Sequence, residues 1–347
     1  MNLPYYFKQA IDRGASDLHL VEGSVPSVRI AGELHRLESN EIPAGELRHA
    51  IYASIDKGTR DKFEEEKDID LSLEFYDNRF RVNLHYQEGH MGLSARLVLN
   101  KIPEPKEIDL NPILYELTHL KDGLLLVTGP SGAGKSTTLA VMLNIINKER
   151  RAHIVTIEDP IEYIFKDKQS IVEQRQLGRD TKDFSTALKY ALRQDPNVIM
   201  VGEMRDRETV RAALTAAKTG HLVISTLHTS TAAETVSRII DYFPIEYQNQ
   251  VTSQLSTILR AVVSQQLLPK RGGGLVAARE IMINNNAIAN LIRNNQVEQI
   301  NSVIQTNAKV GMFTMNKSVD DLLRRGLISE VTAANRRRDM ETHATYY

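Results

Sequence analysis

The chain has 347 residues, enough for two compact domains, and its 41% hydrophobic and 25% charged content is ordinary for globular proteins. A formal net charge of −1 gives no global attraction to nucleic acid or to an acidic membrane surface, and the lack of cysteine excludes disulfides and cysteine zinc sites. Charges near the amino terminus argue against a signal peptide, and no apolar run approaches the roughly 20 residues that span a bilayer, so a soluble protein is expected, with any membrane role supplied by a partner.

The first hundred residues read as a small α+β unit. Tyr6, Phe7, Ala10 and Ile11 have helical spacing, and Ser16 to Leu20 alternate like a strand. Ile69, Leu71, Leu73 and Phe75 alternate with polar residues, Tyr76 to Arg79 supply a turn, and Phe80, Val82 and Leu84 alternate again, which predicts a hairpin. A third run places Leu93, Ala95, Leu97 and Leu99 on one face and Ser94 and Arg96 on the other, so Arg81 and Arg96 both point away from the apolar layer. Pro103 and Pro105 then break both patterns, because each removes a backbone donor and restricts the residue before it. The expected organisation is a 1–100 domain, a 101–107 linker and a 108–347 domain.

Beyond the linker, strands alternate with helices, the signature of a mostly parallel sheet covered on both faces. Predicted strands are Gly123 to Thr128, His153 to Glu158, Asn197 to Val201 and Leu222 to Thr226. Helices are predicted over Ser136 to Asn147, around Phe184 to Leu192, around Val210 to Ala217 with Gly220 closing it, and along the face Val236, Ile239, Ile240 and Phe243. Gly272 to Gly274 read as a loop.

The segment Gly129-Pro130-Ser131-Gly132-Ala133-Gly134-Lys135-Ser136 fits G-x-x-x-x-G-K-[ST], with a strand before it and a helix after it. Glycines let backbone amides approach a phosphate chain, and the helix start adds unpaired N–H groups and a favourable dipole. Residues 131–137 are the candidate nucleotide cradle: Ser131, Gly132, Ala133 and Gly134 in the loop, Lys135 on the β- and γ-phosphates, Ser136 on Mg2+ and Thr137 adding a phosphate hydrogen bond. A triphosphate site also needs carboxylates, and two acidic clusters stand at carboxyl ends of predicted strands: Glu158-Asp159-Pro160-Ile161-Glu162, and Glu203, which ends an apolar strand of Walker B form and is a second candidate magnesium ligand. His221 and His228 bracket a strand, where a γ-phosphate sensor would sit, although a lone histidine is more often structural. Arg81 and Arg96 read either as solvated strand residues or as guanidinium groups that stabilise transition-state charge from outside the P-loop domain.

The ordered blocks GPSGAGKSTT, TIEDPIEY, ALRQDPNVIMVGEMRD, TGHLVISTLHT and RIIDYFP resemble the Walker A, Asp box, Walker B and His box of secretion ATPases serving type II, type IV and pilus machines. ASDLHL, the RFRVN strand, LLPKRGGGLVAAREIMI and GMFTMNKSVDDLLRRGLIS narrow the resemblance to the PilT type over essentially the whole chain. The resemblance implies an α/β fold with a RecA-like P-loop ATPase domain and a smaller α+β, PAS-like amino-terminal domain. It also implies a homo-hexameric ring that binds ATP and Mg2+ between its domains and couples hydrolysis to pilus retraction. The expected place is the cytoplasm, peripheral at the inner face of the cytoplasmic membrane, with an inner-membrane pilus platform protein as partner and no nucleic acid.

For matching positions the resemblance implies Glu158 and Glu162 in the Asp box, one of which activates water, Glu203 in Walker B, and His221 and His228 in the His box. Arg81 and Arg96 match the amino-terminal arginines that reach toward nucleotide. One block departs: a carboxyl-terminal motif of the form AIRNLIRE, associated with retraction, here reads Ala287-Ile288-Ala289-Asn290-Leu291-Ile292-Arg293-Asn294. The alternatives are a pilus-extension or type II secretion ATPase, an accessory retraction paralogue, a DNA translocase, and a nucleotide-binding regulator that does not turn over.

Overall fold

Period-two alternation near the amino terminus becomes an antiparallel sheet. The computed structural model describes residues 1–30, 33–98 and 101–336 and divides into two units, Met1–Lys101 with Glu162–Ile164, and Ile102–Ile161 with Phe165–Tyr347. The first unit runs α1 (Leu3–Asp12), β1 (Asp17–Val21), β2 (Ser27–Ile30), β3 (Glu33–Arg36), α2 (Glu46–Ser54), α3 (Lys57–Glu66), β4 (Asp68–Phe75), β5 (Asn78–Gln87) and β6 (His90–Val98). Its sheet order is β3-β2-β1-β6-β5-β4. The predicted hairpin is β4–β5, turning on Tyr76 and Asp77 at φ 52° and 57°. Two left-handed residues at a two-residue turn match the twist of the flanking strands.

Leu18, Leu20, Val82, Leu84, Leu93 and Ala95 pack with Phe7 of α1, Ile51 of α2 and Phe63 of α3 into one core. The polar alternates, including Arg81 and Arg96, fall on the other face. Leu99, expected to extend the apolar run, lies outside the described residues.

The second unit opens with α4 (Pro112–Leu117), β7 (Gly123–Thr128), α5 (Lys135–Glu149), β8 (His153–Glu158), β9 (Ile171–Gln176), α6 (Phe184–Ala191) and β10 (Val198–Val201). It continues through α7 (Arg207–Lys218), β11 (Leu222–Leu227), α8 (Ala232–Asp241), α9 (Ile245–Ile258), β12 (Leu259–Pro269) and β13 (Leu275–Ile283), and closes with α10 (Asn286–Arg293), α11 (Ile300–Thr306) and α12 (Met315–Arg324). The sheet order is β13-β12-β7-β11-β10-β8-β9. All neighbours are parallel except the β12–β13 pair at one edge.

Every residue of β7 is buried, as expected for a strand covered on both faces. Leu125 and Val127 pack toward Leu139, Met142 and Leu143 of α5, while Leu124 and Leu126 belong to the opposite layer with Phe184, Val210, Val236 and Leu255. Asp183, Asp206 and Thr231 cap α6, α7 and α8 by accepting from amides three residues on, so the sequence starts these helices where the strands need their crossovers. Gly220, at φ 98°, follows the C-cap of α7 and turns the chain into β11.

Candidate active site

Because β7, β11, β10 and β8 are parallel, their carboxyl ends share one edge of the sheet. Open α/β sheets bind ligands at such an edge. β7 leads into the loop 129–134, and α5 begins at Lys135 behind Gly134, which takes the left-handed conformation at φ 80°. Gly129 is required by space: a Cβ there would stand 2.2 Å from the Gln265 carbonyl oxygen of β12. Lys135 Nζ donates to the Gly129 and Pro130 carbonyls at 2.7 and 3.0 Å, across the loop. Ser136 and Thr137 follow in the first turn of α5, their amides among the unpaired donors of the helix start.

The next strand along, β11, delivers His228, and the one after it, β10, delivers Glu203. His228 Nε2 is 3.2 Å from Glu203 Oε1, and Arg205 Nε donates to Oε2 at 2.8 Å. Arg205 also reaches Asp159 Oδ2 at 3.3 Å, tying the Walker B end to the Asp box. The carboxylate of Glu203 pushes the pKa of Arg205 above its ordinary value, so the guanidinium is a fixed charge at this edge.

Glu158 ends β8 and is buried, accepting from Thr156 Oγ1 at 2.6 Å and Gln174 Nε2 at 3.1 Å. Glu162 is exposed and groups with the amino-terminal unit. His221 precedes β11, at the opposite edge of the sheet, roughly 20 Å from His228 along the strand. Its ring nitrogen Nδ1 lies 3.0 Å from the Ala216 carbonyl oxygen and 3.1 Å from Thr219 Oγ1. The structure thus brings Lys135, Glu203 and His228 to one edge and leaves His221 at the other.

Arg81 and Arg96 are on the amino-terminal sheet, directly opposite each other on β5 and β6. Arg81 pairs with Asp70 at 3.1 Å and Arg96 with Asp17 at 2.8 Å.

Three supporting residues have no role assigned from the sequence, although Arg279 lies in the LLPKRGGGLVAAREIMI block. Gln265 Nε2 donates to the Ala133 carbonyl at 2.7 Å, and its Oε1 accepts from Thr138 Oγ1 and from Arg279 Nε, each at 2.9 Å. Burial pushes the pKa of Arg279 down to about 10. Asp109 is held below the usual carboxylate range by a two-pronged pair with Arg325, at 2.8 Å on both oxygens. A cavity of about 400 Å3 runs from Gly134, Thr137 and Thr138 to Asp109, Arg279 and Arg325.

Residues 104–342 match the family described as Type II/IV secretion system protein. The chain belongs to that family. This secretion-family chain is 46% identical over 322 residues to the type IV pilus retraction ATPase PilT of Pseudomonas aeruginosa, covering 92% of this chain and 94% of that protein. It is 44% identical over 319 residues to a twitching motility protein of Neisseria gonorrhoeae, covering 91% of this chain and 85% of the relative. The crystal structure of the pilus retraction motor PilT with bound ADP matches with a TM-score of 0.91 at 47% identity and covers 96% of each chain. The fold is therefore that of a secretion-family ATPase, a RecA-like P-loop domain preceded by a smaller α+β domain.

The altered block on α10 keeps its apolar residues Ile288, Leu291 and Ile292 in the core. Its departures fall outside that core, with Ala289 half-buried and Asn294 exposed.

Proposed function

We propose that this chain is a homo-hexameric Mg-ATP-hydrolysing motor that powers type IV pilus retraction, acting at the inner face of the cytoplasmic membrane on a platform protein. The observation that carries the reading is the sheet edge that bears both the P-loop, with its lysine Lys135, and a carboxylate, Glu203, gripped by His228 and Arg205. Similarity along nearly the whole chain to a retraction ATPase supplies the direction of force.

In this reading Lys135 and the loop amides of Ser131 to Gly134 hold the β- and γ-phosphates, and Thr137 adds a hydrogen bond. Ser136 and Glu203 are hard oxygen donors suited to Mg2+, which takes few protein ligands when it arrives with phosphates. Magnesium, when bound, neutralises charge on the phosphates.

The chain's own groups do the rest. His228 and Arg205 fix the carboxylate of Glu203, an Asp-box glutamate, Glu158 or Glu162, orients and deprotonates the attacking water, and Arg81 and Arg96 answer the charge that develops in the transition state. His221 keeps a structural place beside Thr219 and Ala216.

Two measurements test this. Purified assembled protein should release phosphate from ATP in a Mg2+-dependent manner. Deletion of the gene should leave excess surface pili and abolish twitching; cells without pili would instead mark an extension or secretion ATPase.

A further inference from the structure

Arg279 is a buried cation whose hydrogen bonds end on neutral acceptors. It is 4% exposed, donates through Nε to Gln265 Oε1 at 2.9 Å, and through its terminal nitrogens to the Asp109 and Ile108 carbonyls at 2.9 and 3.3 Å. Burying a guanidinium without a hydrogen-bonded carboxylate is costly, and burial, against the pull of the Asp109 charge, holds its proton less firmly than usual. The nearby Asp109 charge offsets part of that cost, and because apolar replacement of a buried charge is often neutral or stabilising, we read this arginine as contributing position rather than stability.

The chain of contacts it completes has two ends. One end is the P-loop, because Gln265 lies directly opposite Arg279 on the β12–β13 pair and its side chain holds Ala133 and Thr138. The other is the stretch 104–110, which follows the amino-terminal unit in sequence. Asp109 there sits at φ 47°, a strained conformation for a residue with a Cβ, pinned by Arg325. The cavity beside the P-loop has Thr137 and Thr138 on one wall and Ile108 and Asp109 on another.

We propose that Arg279 is a positioning residue that couples occupancy of the P-loop to the order of the 104–110 strap. The inference rests on the nucleotide reading of the P-loop and deepens it. A ligand that fixes Ala133 and Thr138 fixes Gln265, Gln265 fixes the guanidinium, and the guanidinium fixes the two strap carbonyls.

The test is hydrogen exchange on the full assembled chain, with and without Mg-ADP. The reporters are P-loop amides and the amides of Asp109 and Leu110, which donate to Lys106 and Pro105 within the strap. In the wild type, Mg-ADP should slow exchange at both sites, by about fivefold or more at the strap. Arg279→Lys, which keeps the charge but not the fork, should retain protection at the P-loop and lose it at the strap, with kcat lowered and KM for ATP within about threefold of wild type. Gln265→Glu keeps the acceptor for Arg279 but removes the donor to Ala133, so it should give the same uncoupling in a near-isosteric side chain and decides the matter if Arg279→Lys does not fold.

Strap protection equal to wild type in a folded variant would overturn the coupling while leaving the nucleotide site intact. An absence of P-loop protection in the wild type would overturn the nucleotide reading and the coupling with it.

Discussion

His228 and Glu203 leave neighbouring parallel strands and meet at 3.2 Å, with Arg205 on the other carboxylate oxygen at 2.8 Å. A carboxylate gripped from both sides is a fixed negative charge at the edge where the P-loop ends, suited to organise a cation and a water. Glu203→Gln keeps size and an acceptor but removes that charge. Its turnover should fall on the order of 100-fold or more while nucleotide binding survives. Phosphate release and binding of a fluorescent nucleotide, measured on the same assembled sample, separate the two, and near wild-type turnover would remove Glu203 from the site.

Lys135→Ala tests the P-loop. It removes the cation we propose to lie against the phosphates, so both affinity and turnover should drop, in contrast with the Glu203 variant. Equal ATP affinity in Lys135→Ala and wild type would mean that the loop does not hold the phosphates through this lysine.

The loop glycines differ in what they tolerate. At Gly129 a methyl group would meet the Gln265 carbonyl oxygen, a backbone atom of β12, at 2.2 Å, whereas at Gly132 nothing lies within 4 Å and only the φ of 76° opposes a side chain. Gly129→Ala should therefore destabilise by about 3 kcal/mol or prevent folding, and Gly132→Ala by about 1 kcal/mol. Thermal unfolding of the two variants side by side checks the order; a milder Gly129→Ala would mean that β12 gives way.

How much of this was legible beforehand depended on whether a residue's job was local. The P-loop and the strand ends bearing Glu158 and Glu203 are read from contiguous sequence, because phosphate binding needs adjacent amides and a buried parallel strand is a continuous apolar run. The hairpin was legible from alternation, and its turn falls on Tyr76 and Asp77. Gln265, Arg279 and Asp109 were not legible. Their partners are 132, 170 and 216 positions away along the chain, and no periodicity encodes such pairings. Arg205 was within reach, two residues past Glu203, but an arginine after a carboxylate at a strand end is usually solvated. The opposite placement of His221 and His228 followed from the strand between them, whose parallel pairing with β7 only the fold reveals.

Acid sensitivity should concentrate on Glu64 of α3. Hydrogen bonding from Tyr52, then the Arg48 and Lys67 cations, lower its pKa from 4.5 to about 2, against desolvation. A depressed carboxylate contributes stability that is present above the unfolded pKa and is lost as pH falls through the folded one. The window is thus pH 4.5 down to about 2. Glu64→Gln should lower Tm at pH 7, and the gap to wild type should shrink as pH falls through that window; a constant gap would assign the effect to packing.

Arg96 and Arg81 are cross-strand partners, and two cations placed directly opposite repel unless each has a counter-charge. Asp17 and Asp70 supply those charges, yet the Arg96 side chain remains 71% exposed. An ion pair this open to solvent contributes about 0–1 kcal/mol, so Arg96→Ala should shift Tm by no more than about 2 °C. If the guanidinium stabilises transition-state charge at a phosphate, its loss should lower turnover by about 10³-fold. The two effects differ so far in size that one variant separates them, provided ring assembly is confirmed by size-exclusion chromatography first. Arg81→Ala should show a smaller loss of turnover with the same small change in Tm. Wild-type turnover in both assembled variants would leave these arginines as solvated strand residues whose carboxylate partners are their whole function.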